Sequence, residues 1–122
     1  MNVNQRIETA LSGLVSGAIW PLSKPLTEDP ATFIVYNPEL VVSDQGDNLD
    51  QDWAYHMQIH WHSKGISDYL SAVDTMIAAL HNAGITVTDI PFHEYQAAET
   101  GNRSQSGTGY THVCLSCLME KG

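Results

Sequence analysis

The sequence predicts an α+β domain: a mostly antiparallel or mixed sheet of four to five strands, with two helices packed on one face. Three observations predict it. Residues 53–62 alternate apolar and polar side chains with a period of two, the mark of a strand with one buried face. Stretches near residues 3–15 and 66–80 carry apolar residues at helical spacing instead. The remaining strand-like runs follow one another rather than alternating with helices, which favours α+β over a parallel α/β sheet. The 122 residues form one domain, 1–122, with no internal repeat and no boundary.

Each element has its own signal. Val3, Ile7, Ala10, Leu11 and Leu14 repeat at helical spacing, with Asn2 or Asn4 as the cap. Gly13 and Gly17 weaken the end of this helix, and Pro21 and Pro25 close it, leaving residues 16–31 as a loop. "TFIVYN", Thr32 to Asn37, is rich in β-branched and aromatic residues and reads as a strand. Pro38 is expected to limit it, and "ELVVS" to form a second strand. The acidic segment Ser43 to Asp52 holds four aspartates and no basic residue, so it reads as an exposed loop or hairpin tip.

Trp53, Tyr55, Met57, Ile59 and Trp61 then share one strand face, while Ala54, His56, Gln58, His60 and His62 share the other. Ile66, Tyr69, Leu70, Val73, Met76, Ile77 and Leu80 make an amphipathic helix, with Ser67 as N-cap and Gly84 at its left-handed C-terminus. Ile85 to Tyr95 reads as a further strand, bent or placed at an edge because of Pro91. A glycine- and serine-rich loop follows. The strand Tyr110 to Met119 closes the chain, with Val113, Leu115, Cys117 and Met119 on one face.

Composition excludes several function classes. The net charge is −9, and Arg6, Lys24, Lys64, Arg103 and Lys121 are scattered. A nucleic-acid binder needs a basic patch, and an acidic surface repels phosphate. Hydrophobic residues make up 43% of the chain, too many for disorder. No apolar run approaches a membrane span, and the first residues lack a signal peptide's pattern. The expected setting is the cytoplasm, where Cys114 and Cys117 stay reduced.

The chemical motifs are weak. Three neutral imidazoles can hold zinc, and His56, His60 and His62 share a strand face. A metal site also needs ligands converging from other elements, and nothing in the sequence fixes where His81, His93 and His112 point. A polar strand face, solvated or facing a neighbouring subunit, is the favoured reading. "CLSC" matches the spacing of a redox pair, but within a strand residues three apart point to opposite faces. Cys117 therefore reads as core. "DQGDNLDQD" departs from a calcium loop, because Gly46 comes too early and the twelfth position is Tyr55. Nucleophile elbows and phosphate-binding glycine loops are absent from the sequence. The expectation is a non-enzymatic protein with no cofactor, no metal and no catalytic residue.

One larger pattern remains. A helix precedes "PATFIVY" (Pro30 to Tyr36), and a strand ending in an aromatic enters the amphipathic helix through "WHSKG" (Trp61 to Gly65). "ITVTDIPFHEY", a variable loop and a closing strand opened by "TGYTHVCL" follow. In order and size the chain resembles the tail-completion or tail-terminator proteins of long-tailed bacteriophages and prophages, and the resemblance covers nearly all of it. It implies a virion subunit that assembles as a ring, typically a hexamer. The ring would cap the tail tube and meet the head connector, in the host cytoplasm during assembly and then in the virion tail. Its partners would be itself, the tail-tube protein and a connector or adaptor protein. DNA would pass through the lumen without specific binding, and no membrane would be involved.

Three regions are the expected partner surfaces. They are the acidic loop with Asp44, Asp47, Asp50 and Asp52; the loop Glu99 to Gly109 with Arg103; and the strand face with His56, His60 and His62. The histidines would make ring assembly sensitive to pH between about 5 and 7. Three rivals stand beside this reading: a head-completion or connector component, a small metal-dependent enzyme built on His60 and His62, and an acidic module that sequesters a basic partner.

Overall fold

The computed structural model describes residues 2–42, 53–64, 69–96 and 110–120. The elements are α1 (Val3–Leu11), β1 (Ile19–Pro21), β2 (Thr32–Val42), β3 (Trp53–Lys64), α2 (Tyr69–Asn82), β4 (Thr86–Gln96) and β5 (Tyr110–Glu120). They build a five-stranded mixed sheet in the order β1-β2-β3-β5-β4, with both helices on one face. The fold is the expected α+β class. Among the described residues no helix is long and apolar enough to cross a membrane.

The helix ends follow from their residues. The Asn2 side chain accepts from the Gln5 backbone N–H and the Gln5 side chain accepts from the Asn2 N–H, both at 2.9 Å. This reciprocal pair satisfies two of the donors that a helix start leaves open. A short 3-10 turn, Ser12–Val15, extends α1. At the end of α2 the Ile85 N–H donates to the Leu80 carbonyl at 2.9 Å and the Gly84 N–H to the His81 carbonyl at 3.0 Å. Gly84 has φ 79°, the conformation that this helix stop needs and glycine adopts without a clash.

Two expectations are corrected. The 16–31 segment is not all loop, because Ile19, Trp20 and Pro21 pair in parallel with Ile34, Val35 and Tyr36. That pairing makes the sheet mixed. Nor does Pro38 break the following strand, since β2 pairs with β3 without interruption from Thr32 to Val42. The reason is parity. The Lys64 N–H donates to the Ala31 carbonyl at 2.8 Å, and antiparallel pairs alternate between bonded and non-bonded. Pro38, opposite Met57, falls on a non-bonded pair. The N–H it lacks would have pointed to the outer edge, beyond the end of β1, where a proline costs no ladder bond.

The core lies between the sheet and the helices. Ile7 and Leu11 of α1 and Val73, Met76 and Leu80 of α2 cover Ile34, Tyr36, Met57, Ile59, Trp61, Val113, Leu115, Cys117 and Met119. Tyr36 is fully buried and its hydroxyl donates to the Glu8 carboxylate. Burial first, then the Glu8 contact, raises the Tyr36 pKa and keeps the phenol protonated. The bond ties α1 to the sheet. β4 pairs only with β5 in this sheet, and its register shifts on either side of Asp89, before Phe92. It is the bent edge strand that Pro91 predicted.

Candidate functional site

The site lies on the sheet face turned away from the helices. Alternation puts His56, Gln58, His60 and His62 of β3 there, as expected. The register adds their neighbours. Phe33 on β2 and His112 on β5 both stand opposite His62, while Val35 and Cys114 flank His60. On a non-twofold scaffold such residues would not meet; on adjacent strands, directly opposed side chains are within reach.

They form a row. The His62 ring stacks on Phe33 at 4.6 Å on one side and on His112 at 4.2 Å on the other. Trp20 of β1 leans on Phe33 at 6.3 Å and 57°. His60 joins from below, its Nδ1 2.8 Å from His112 Nε2, with one ring donating and the other accepting. Cys114 Sγ lies 4.0 Å from His60 Nε2. Phe33, His112, Cys114 and Ser116 are all buried, and His60 and His62 are half-buried. The face expected to be solvated or subunit-facing is thus a second, smaller packed region at this end. The rings on neighbouring strands fill it.

Farther along, the same face is open. Asn37, Gln58 and Glu39 are exposed, and so is Leu118, at 38%. His56 belongs here, opposite Glu39 and Leu118. Four residues from His60, it lies about 13 Å away along the strand. The structure therefore brings together His60 and His62, adds His112, which sequence reasoning left unplaced, and leaves His56 apart. His93 packs elsewhere, stacked on Tyr69 of α2 at 4.3 Å. Asp44, Asp47, Asp50, Asp52 and Arg103 lie outside the described residues.

Burial favours the neutral forms of His60, His62 and Cys114. Burial pushes the His62 pKa down to about 3, helped by the neighbouring His112 and His60 rings. Burial also lowers His60. The expected titration between about 5 and 7 therefore moves to lower pH for these two rings. Cys114 is raised by burial and then by Asp89, so its thiol stays protonated. A reactive cysteine needs the opposite, a thiol pKa lowered by a cation or an imidazolium. The Cys114–His60 contact is long, at 4.0 Å, and the raised thiol pKa works against thiolate formation. Cys117, across the sheet in the core, is pushed up to about 12 by burial. The two cysteines are free and face opposite ways, as strand parity required. Among the described residues no three His, Cys, Asp or Glu converge as ligands for a metal ion.

This architecture defines the chain as a mixed-sheet α+β protein with one hydrocarbon core and one aromatic-imidazole face. No protein-family model matches it, and no curated protein matches it. Among solved structures it is similar to a chain in the virion of a native gene transfer agent particle. That likeness has a TM-score of 0.47 at 13% identity, over 98% of this chain and 95% of that one.

Proposed function

We propose that the chain is a structural subunit of a phage-like virion, one that completes the tail tube and offers the joining surface for the head connector. The observation that carries this reading is the element order. A capped helix and the short β1 precede β2, which takes up "TFIVY" of "PATFIVY", the long strand runs through Trp61, and the amphipathic helix, the edge strand and the strand of "YTHVCL" follow. That is the order on which the resemblance to tail-completion proteins rests.

Two physical features agree with it. A joining protein needs surfaces more than chemistry, and burial favours the neutral forms of His60, His62 and the Cys114 thiol on the packed face. A net charge of −9 suits a lumen through which DNA passes without being held. In this reading the subunits close into a ring through a head-to-tail interface. The tail-tube protein lies on one side of the ring and a connector or adaptor protein on the other.

The test is genetic and visual. Deleting the chain from the phage or prophage that encodes it should leave tails of uncontrolled length or tails without heads, seen by negative-stain electron microscopy. Normal-length tails joined to heads would defeat the proposal. In pull-downs the purified protein should retain tail-tube protein; retention of portal or adaptor protein alone would move it to the head side of the junction.

A further inference from the structure

The packed end of the outer face carries a thiol beside an imidazole. Cys114 on β5 and His60 on β3 stand directly opposite each other, so their side chains share that face. Cys114 Sγ lies 4.0 Å from His60 Nε2. The metals that accept both thiolate and imidazole are copper and zinc.

The spacing chooses between them. A tetrahedral ion with bonds of about 2.0 Å to nitrogen and about 2.3 Å to sulfur holds those two atoms about 3.6 Å apart. Across 4.0 Å the same bonds open the N–metal–S angle to about 135°. An angle that wide belongs to an ion with few ligands. Structural zinc takes four. Copper(I), a soft ion with a filled shell, is satisfied by two in a near-linear arrangement. The donor set agrees: among the described residues no three His, Cys, Asp or Glu converge, so the fuller shell that zinc needs is not assembled there.

His60 is also oriented for this role. Its Nδ1 is 2.8 Å from His112 Nε2. When Nδ1–H donates to His112, the lone pair of His60 is on Nε2, on the side of Cys114. Metal-binding imidazoles ordinarily donate their other ring N–H to a fixed acceptor, which sets both tautomer and ring plane. His112 is such an acceptor, buried and stacked on His62 with 15° between the rings. No helix covers this face and His60 is only half-buried, so an ion has a short path to the pair.

We propose that His60 Nε2 and Cys114 Sγ bind one copper(I) ion in a near-linear N–Cu–S link between β3 and β5, with His112 as the positioning residue. The copper takes the place of the thiol proton. The S–H bond breaks, the Cu–S bond forms and one proton leaves to solvent, with no change of oxidation state. Binding therefore strengthens as pH rises. The ion staples two neighbouring strands on the face that has no helix layer. Such a site is independent of the virion reading.

The test titrates the full chain with copper(I), anaerobically and against the chelator ferrozine, and reads X-ray absorption on the one-equivalent complex. One ion per chain should bind, with the spectrum of one sulfur and one nitrogen at low coordination number. Cys114→Ser and His60→Phe should each weaken binding at least a hundredfold. Cys117→Ala, on the opposite face, should leave it within threefold. His112→Phe should weaken it about tenfold while keeping the one-sulfur, one-nitrogen spectrum. Urea unfolding of each metal-free variant shows that it folds, and the spectrum of the unaltered chain decides the ligands without any variant. A spectrum with two sulfurs or none, a four-coordinate spectrum, binding too weak to register against ferrozine, or full binding by folded Cys114→Ser overturns the site. Unchanged affinity in folded His112→Phe overturns its positioning role.

Discussion

The two faces of β3 bury different chemistry. On the helix side Met57 and Ile59 are wholly buried and Trp61 nearly so. Two amphipathic helices seal them in a mostly apolar core whose described polar contact is the Tyr36 hydroxyl on the Glu8 carboxylate. On the other side His60 and His62 are half-buried in a row with Phe33 and His112, covered by one another more than by a second layer. The first face is held chiefly by area removed from water, and the side chains of Met57, Ile59 and Trp61 carry no titrating group. The second is weakened when His60 or His62 takes up a proton. One alternating strand thus supports two kinds of packing, and the pattern of alternation does not distinguish them.

The sharpest way to break the comparison is at the hydrocarbon face. Ile59→Ala should cost about 3 kcal/mol in urea unfolding, within the range for fully buried aliphatic truncations. The loss should be the same at pH 5 and pH 8. A loss below about 1 kcal/mol would mean that the helices do not seal that face.

Acid should separate the two faces. In the unfolded chain His62 takes up its proton near 6.5, and in the folded chain near 3. Between those values the unfolded state binds the extra proton, so stability rises with pH. The contribution is fully present above about 6.5, is lost as pH falls toward 3, and then levels off. The slope is at most about 1.4 kcal/mol per pH unit for each such proton. His60, also lowered, adds to it in the same direction. Urea midpoints measured from pH 8 to pH 4 should fall, and His62→Phe should flatten the curve by one proton. An unchanged slope in that variant would show that the ring is solvated and not stacked.

A smaller effect is expected from truncating that ring at neutral pH. His62→Ala removes two stacking partners at once, and each aromatic contact contributes about 0.5–1.5 kcal/mol. The expected loss at pH 8 is about 1–3 kcal/mol, centred below that for Ile59→Ala. An equal loss at the two sites would mean that the imidazole face is as densely packed as the core.

Much of this was legible because it is local. The period of two over residues 53–62, the helical spacing of Val73, Met76 and Leu80, and the left-handed stop at Gly84 are all written in nearest neighbours. What sequence reasoning missed depends on pairing between distant segments. β1 is three residues long, too short to show a period, and only its parallel partner β2 makes it a strand. Pro38 reads as a breaker until the register with β3 shows that its missing donor points to the edge. His112 joins the site because β5 pairs with β3 in the register that sets it opposite His62. One signal was available: if Val113, Leu115 and Cys117 face the core, then His112 and Cys114 must face the other way, toward the β3 histidines. The burial of that face was not legible, because it arises from Phe33, His62 and His112 meeting across three strands.

The finest test asks whether all histidines on that face are equivalent. His56 shares the strand, the parity and the residue type of His60 and His62. Its opposite neighbours are Glu39 and Leu118 instead of aromatic rings, and both are exposed. With no stack to lose, His56→Ala should change stability by no more than about 0.5 kcal/mol, as for most surface substitutions. A loss matching that of His62→Ala would mean that the packed region extends along the whole strand. The division of this face into a stacked end and an open end would then fail, and with it the case for treating Asn37, Glu39, Gln58 and His56 as surface available to a partner.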